Sequence, residues 1–367
     1  AALVELPVYT PASSESFATY GVLDQGIVAQ AIQYPTDVFS QFGGLEITTS
    51  ATALQSLTDA VIYLANYPFE CSEQLSSRIL AITSLRDILS AFKAEGLPSQ
   101  EELDAAIKRD INRLAGMQNS DGGFPTWQRG FESNPFNSVH TAHALFRAAE
   151  NGYDVPSEMQ QSVLGYMQNL KNHFPEWYSE NTKISITAYS LYVRDLMGDR
   201  DSAAAENLIL FYGLDAMPID TIGWLWPLID LPDLISKIQI YVMNHTVETA
   251  GAANFVTAYD DQSYLLLRSD RRTDAILLSA LMKNDPDSDL IPKIVNGLLA
   301  SRNHGRWSST QDNVFVLLAL NEYFRQYEAE SPDFVARMWL GDSYAGKNEF
   351  HNRTTDQHEL QIPMVYI

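Results

Sequence analysis

The chain has 367 residues, 46% of them hydrophobic, with 46 acidic residues against 24 basic ones and a formal net charge of −22. That length holds one large domain or two to three smaller ones around a sizeable core, and the charge excludes a nucleic-acid partner, whose phosphates require a basic footprint, and disfavours an anionic membrane surface. The single cysteine, Cys71, excludes an internal disulfide framework and a cysteine-rich zinc site.

Residues 1–49 are rich in β-branched and aromatic side chains without a long helical period, and read as short strands at 4–9, 17–22, 27–32 and 45–49. No secretory leader and no run of 18 apolar residues stands at the start, so the chain reads as mature or as a piece of something longer. The centre, 50–328, is predicted helical. Candidate helices are 52–66, 72–93, 100–117, 137–150, 156–171, 183–197, 201–213, 218–230, 232–246, 271–283, 288–302 and 309–326. Twelve helices in about six hairpins, separated by Gly and Pro turns, is the count of an α/α toroid, in which each hairpin buries its face against its neighbours. Gly122 and Gly123 are expected at positive φ in an interhelix turn, with Phe124 and Trp127 packed beneath it. Trp224 and Trp226 read as packing anchors, Ser309 or Thr310 as a helix N-cap, and 268–272 as a solvated or salt-bridged turn. The segment 247–268 reads as an irregular excursion. Residues 329–367 return to strand character at 336–340 and 358–367. The fold expected is mainly α, a toroid inserted into a small β domain that the two chain ends form together.

The lone cysteine stands in Tyr67-Pro68-Phe69-Glu70-Cys71-Ser72-Glu73-Gln74. Pro68 is tolerated near a helix start, and the apolar period from Leu75 places Cys71 and Gln74 in or near a first helical turn. Residues three apart are neighbours on one helix face. Loss of ammonia from Gln74 would join Cys71 Sγ to the side-chain carbonyl as a thioester, a stored acylating agent. For an arbitrary Cys-x-Glu-Gln, a buried cysteine acting as a small apolar filler is the commoner outcome. The surrounding motifs therefore carry the argument.

Those motifs resemble the α2-macroglobulin and complement family, especially its bacterial members. The 67–74 segment is similar to the family's thioester motif. Gln118-Asn119-Ser120-Asp121-Gly122-Gly123-Phe124 resembles an interhelix turn of its thioester domain. Thr187-Ala188-Tyr189 and Ser309-Thr310-Gln311-Asp312-Asn313 resemble its inner-helix starts, and Gly44-Leu45-Glu46-Ile47 the strand leading in. Glu70 departs from the family's glycine before the cysteine. The resemblance implies a toroidal thioester domain at 50–328, between CUB-like β segments at 1–49 and 329–367. It implies a single-turnover protease inhibitor, not an enzyme. Cys71 and Gln74 would be the bond partners, the internal thioester would serve in place of any cofactor or metal, and a protease lysine would be the covalent target. Other domains of a full-length inhibitor would be its partners and would hold the trigger. The location implied is a bacterial periplasm, with any membrane anchor in an N-terminal lipoprotein region outside this segment and no direct membrane contact from the segment itself.

Tyr67 and Phe69 are candidate shields of the thioester, with ordinary core packing an equal reading for Tyr67 and the favoured one for Phe69; Glu73 and Glu70 are candidate positioning residues. Some family members pass the acyl group through a histidine of a later loop. Here 174–180 holds none. His173 is nearest in sequence, and His140 and His143 sit on the preceding helix, where packing or hydrogen bonding explains them better than catalysis does. Without such a histidine, direct attack by amines is expected to dominate. Competing readings are a toroidal enzyme (a thiol hydrolase using Cys71, or a terpene-cyclase-like fold, for which no Asp-x-Asp-Asp occurs) and an interaction scaffold without a thioester.

Overall fold

The computed structural model describes residues 23, 26–32, 36–52, 57–92, 98–249, 251–328, 332–351 and 357–367. The chain divides into two units, Ala1–Phe39 and Ser40–Ile367. In the first, the strands expected at 4–9 and 17–22 lie outside the described residues. The strand expected at 27–32 is absent: the stretch has no pairing partner among the described residues, and Ile27 is 90% exposed. A β-branched run forms a strand only where a pleated neighbour accepts it.

Among the described residues, the second unit contains twelve α-helices: α1 Thr58–Ala65, α2 Ser72–Phe92, α3 Gln100–Met117, α4 Pro135–Glu150, α5 Ser157–Gln168, α6 Glu180–Leu196, α7 Ser202–Tyr212, α8 Ile219–Leu225, α9 Pro232–Asn244, α10 Asp270–Asn284, α11 Leu290–Ala300 and α12 Thr310–Tyr327. Six start where a short polar side chain accepts a backbone N–H of the first turn: Ser99, Asn134, Ser179, Asp201, Ser269 and Ser309. Ser99 with Glu102 and Ser309 with Asp312 complete reciprocal capping boxes. These caps move three starts upstream of the periodic apolar residues. α4 begins at Pro135 behind Asn134, α6 at Glu180 behind Ser179, and α10 at Asp270 behind Ser269. The helix expected over 218–230 ends at Leu225 and tightens into a 3₁₀ turn at Trp226–Leu228, where Pro227 supplies no N–H.

The packing follows chain order. α2 lies on α4, α4 on α6, α6 on α8, α8 on α10, α10 on α12, and α12 returns to α2, so the even-numbered helices form a closed cycle. They are buried on nearly all sides: Phe136 to Leu145 in α4 and Thr310 to Leu320 in α12 are buried without a break. The odd-numbered helices bury one stripe each, as amphipathic outer helices do. Leu103, Ile107, Ile111 and Leu114 form that stripe in α3, and Leu290, Ile291, Ile294, Val295 and Leu298 in α11. Each such aliphatic side chain contributes about 1.5–3 kcal/mol on burial.

Strand β1, Gly44–Ser50, precedes the helices and pairs antiparallel with the last strand, β6, Gln357–Pro363, from Gly44 opposite Pro363 to Ser50 opposite Gln357. The strand expected at 358–367 stops at Pro363 and closes in a 3₁₀ turn at Met364–Tyr366. Strands β4, Asp333–Leu340, and β5, Ser343–His351, form a hairpin, and β5 packs on β6. The excursion at 247–268 is more regular than expected. It holds the hairpin of β2, Thr246–Glu248, and β3, Ala253–Phe255, followed by a 3₁₀ turn at Ser263–Leu266.

Two local expectations are corrected. Gly122 has φ +87, and a Cβ there would lie 2.1 Å from Ser162 O; Gly123 is needed instead for close packing against Tyr166 and Ser133. Phe124 is fully buried under this turn, but Trp127 is 62% exposed because the chain turns outward after Pro125. Of the two readings of the charge run 268–272, solvated or salt-bridged, the structure has the salt-bridged one, at the start of α10. Arg268 and Arg272 are buried and both bind Asp220, Arg272 at 3.0 Å. Burial works to raise the Asp220 carboxyl, and the two guanidinium groups outweigh it and hold it below its usual range. Trp224 and Trp226 are buried as expected, and Trp224 stacks on Tyr189 at 4.5 Å.

Candidate functional site

Cys71 occupies the N-cap position of α2: Leu75 N–H donates to its carbonyl at 3.0 Å. Gln74 lies at the third helical position, and its Oε1 accepts the Cys71 backbone N–H at 3.1 Å. This is half of a capping box, with glutamine reaching back to the cap residue. Ser72 N–H, otherwise an orphan of the first turn, donates to Thr126 O at 2.9 Å, and Asn137 Nδ2 donates to Ser72 Oγ at 3.0 Å. The loop after α3 and the start of α4 therefore hold the turn in place.

The Cys71 thiol is buried, and burial pushes it up to about 11. Backbone N–H groups of Gln74, Glu73 and Cys71 work against that rise, while the Glu73 carboxylate adds to it. A backbone donor on the carboxamide oxygen polarises the Gln74 carbonyl carbon and stabilises negative charge developing on that oxygen. The arrangement can thus support acyl chemistry at Gln74 with Cys71 as partner.

Glu73 points inward. Its Oε1 accepts from Ser77 Oγ at 2.7 Å, Thr310 Oγ1 at 2.8 Å and Gln311 Nε2 at 2.7 Å. Gln311 Nε2 also lies 3.0 Å from His140 Nε2, and its two protons serve both contacts only if that ring nitrogen accepts. His140 then donates from Nδ1 to the Tyr189 hydroxyl at 3.0 Å, and Tyr189 donates to His143 Nδ1 at 3.0 Å. The polarity leaves the His143 proton on Nε2, which has no partner among the described residues. Burial, aided by the Arg272 charge, pushes His140 down to about 3, so the ring is neutral. Burial lowers His143 in the same direction.

The remaining sequence candidates separate. Glu70 pairs with Arg113 and, at 3.7 Å, with Arg78. Tyr67 is half-buried, edge-on to Tyr63 at 5.3 Å and to Phe69 at 6.0 Å. Phe69 is 58% exposed, so it is not a core residue, and the segment between Pro68 and the helix start directs it to solvent. His173 stacks on Tyr166 at 4.0 Å and faces Asp121, with no hydrogen bond or ring contact to 67–74 among the described residues. His140 reaches Glu73 only through Gln311 and Ser77, and neither it nor His143 bonds Cys71.

Sequence reasoning missed Ser77, Tyr189, Thr310 and Gln311 as parts of this network, and the buried pair of Arg78 with Asp110, at 2.6 and 3.0 Å. Arg78 also donates to Tyr67 O at 3.3 Å, so it braces the segment leading to Cys71. The available signal was polar residues at buried-face positions: Gln311 at the start of an apolar helix, and Asp110 on the apolar stripe of α3, three residues after Ile107.

No family model matches the chain. It is 27% identical over 394 residues to circularly permutated Ras protein 2 of Dictyostelium discoideum, an alignment covering 98% of this chain and 10% of that protein. It is 24% identical over 294 residues to the alpha-2-macroglobulin of Thermotoga maritima, covering 79% of this chain and 16% of that one. Among solved structures it matches Salmonella alpha-2-macroglobulin reacted with methylamine, with a TM-score of 0.64 and 20% identity over 86% of this chain and 20% of that one. The chain resembles the bacterial alpha-2-macroglobulins. Another such match is Escherichia coli alpha-2-macroglobulin activated by porcine elastase, with a TM-score of 0.59 and 19% identity, over 88% of this chain and 29% of that one. The likeness to these alpha-2-macroglobulin structures is one of fold, and this chain spans a fifth or less of the length of the two relatives above.

Proposed function

We propose that this chain is the thioester-bearing segment of an alpha-2-macroglobulin-like protease trap. On this reading, the closed cycle of even-numbered helices with its outer layer is an α/α toroid, and the chain ends supply a CUB-like β domain, a reading supported by the pairing of β1 with β6. The observation that carries the chemistry is the Cys71 N–H on Gln74 Oε1 at 3.1 Å, at the first turn of a buried helix.

In the closing step, Cys71 Sγ attacks Gln74 Cδ. The C–N bond breaks, ammonia leaves with the thiol proton, and a thioester remains. In the opening step, a lysine Nζ attacks the same carbon. The C–S bond breaks, an amide forms, and the amine's proton ends on the departing sulfur. The Cys71 N–H faces the oxygen that carries charge in both steps. The backbone N–H groups that work against burial at the thiol also favour the departing thiolate. The event happens once per chain, so the protein acts as a trap and not as a turnover catalyst. A neighbour reacted with methylamine and another activated by elastase fit an amine-reactive protein with protease partners. A bacterial periplasm is the location this reading favours.

A thiol hydrolase would need a low thiol pKa and a histidine against sulfur. Here burial raises the thiol, and the nearby histidine is neutral and engaged elsewhere. A cyclase-like site is disfavoured by the interior, which Trp224, Phe315 and Phe136 fill around the Arg272 guanidinium.

The test is competition between methylamine and glycerol at equal concentration, read by peptide mass spectrometry. Methylamine should attach at Gln74 and free the Cys71 thiol, with glycerol incorporation far lower. Equal incorporation would contradict direct attack by amines, and adduct formation away from Gln74 would contradict the site.

A further inference from the structure

The inward-facing carboxylate of Glu73 lies between the two proposed bond partners in sequence, yet among the described residues its hydrogen bonds go to Ser77, Thr310 and Gln311. It is 5% exposed and takes three donors on one oxygen, two of them from the start of α12, more than 230 residues away. Gln311 then joins it to His140 on α4, and Tyr189 on α6 extends the chain to His143. A carboxylate at the second position of a helix gains something from the helix dipole at the surface. It has no need of three buried side-chain donors for that purpose. Burying a charge is costly unless it is hydrogen-bonded, so a buried carboxylate oxygen held by three donors marks a fixed geometry.

We infer that Glu73 is the positioning residue of the acyl-transfer site, clamping the first turn of α2 to α12 and α4 so that Gln74 Cδ stays in line with Cys71 Sγ. The inference rests on the thioester reading above. Gln74 follows Glu73 directly, and among the described residues its side chain hydrogen-bonds Cys71 N–H alone. Its placement therefore depends on the backbone that Glu73 anchors. Release of the clamp loosens that backbone without removing either reacting atom. The charge acts as well: a carboxylate close enough to raise the Cys71 thiol disfavours departure of sulfur as thiolate and so keeps the closed bond latent.

The test compares the wild-type 367-residue chain with Glu73→Gln and Thr310→Val. Intact mass gives the closed fraction, and thiol release on methylamine addition gives the opening rate. The pH dependence of iodoacetamide alkylation after opening reports the thiol. Wild type should carry the mass loss of one ammonia; if it carries none and takes no methylamine, the thioester reading falls and this inference with it. With wild type closed, Glu73→Gln should form the bond on the order of ten- to a hundred-fold more slowly, the range by which small misplacements of reacting groups slow a step, and so show a reduced closed fraction. Its alkylation midpoint should also move to lower pH, a change that a purely structural role would not give. A folded Glu73→Gln with wild-type closed fraction, opening rate and alkylation profile overturns the inference and leaves the thioester reading standing. Should Glu73→Gln fail to fold, Thr310→Val decides, since it removes one of three donors at nearly constant shape. A reduced closed fraction supports the clamp, and wild-type behaviour overturns it.

Discussion

Arg78 and Asp110 show what single residues must do for this site to exist. The guanidinium is buried, makes two hydrogen bonds to a fully buried carboxylate, and uses a further N–H on Tyr67 O. Asp110→Ala would leave that guanidinium only Tyr67 O and the more distant Glu70 carboxylate, a loss of up to about 3–5 kcal/mol. Urea unfolding should show a midpoint lowered accordingly at unchanged slope; an unchanged midpoint would mean the pair adds no net stability. At this scale the sequence was half legible. Cys71 and Gln74 sit three apart, so local spacing alone brings them together. Glu73 meets Thr310 and Gln311 only because the ring closes, and no local pattern encodes a contact across that distance. Phe69 failed for the opposite reason: aromatic residues are usually buried, and nothing in the sequence marks the outward turn before the helix.

Helices were the most legible elements, since an apolar stripe repeats at their own period. Their ends were set by caps such as Asn134 and Ser179, upstream of the first periodic residue. The 27–32 stretch was misread because strand character depends on a partner, and the β2–β3 hairpin was missed because its strands are only three residues each. That hairpin is tied to α10 through Asp274, whose carboxylate accepts Phe255 N–H at 2.9 Å. Burial raises Asp274 to about 7, against the opposing pull of that N–H and of Arg271. The folded state therefore binds this proton where the unfolded chain has lost it. The resulting stability is present below the unfolded value near 4 and is lost as pH rises toward 7. Wild type should lose roughly 2 kcal/mol between pH 5 and pH 8 relative to Asp274→Asn, at about 1.4 kcal/mol per pH unit. Parallel pH profiles for the two proteins would remove Asp274 from the account.

At the scale of the whole molecule, the cycle of even-numbered helices converts one short motif into a site. The N-termini of α2 and α12 meet at Glu73, and α4 and α6 carry the polar chain inward from it. Regular spacing foretold a mainly helical centre, but nothing in that spacing foretold that the interior of the cycle would be polar at this end and filled by Arg272 among aromatic rings further in. The central claim is that Cys71 and Gln74 share a bond. The most direct measurement is the intact mass of the untreated protein beside that of Cys71→Ser. Wild type should be lighter than its sequence by one ammonia, and Cys71→Ser should carry its full sequence mass. A wild-type chain at full sequence mass with a freely titrating thiol, inert to methylamine, would contradict the account.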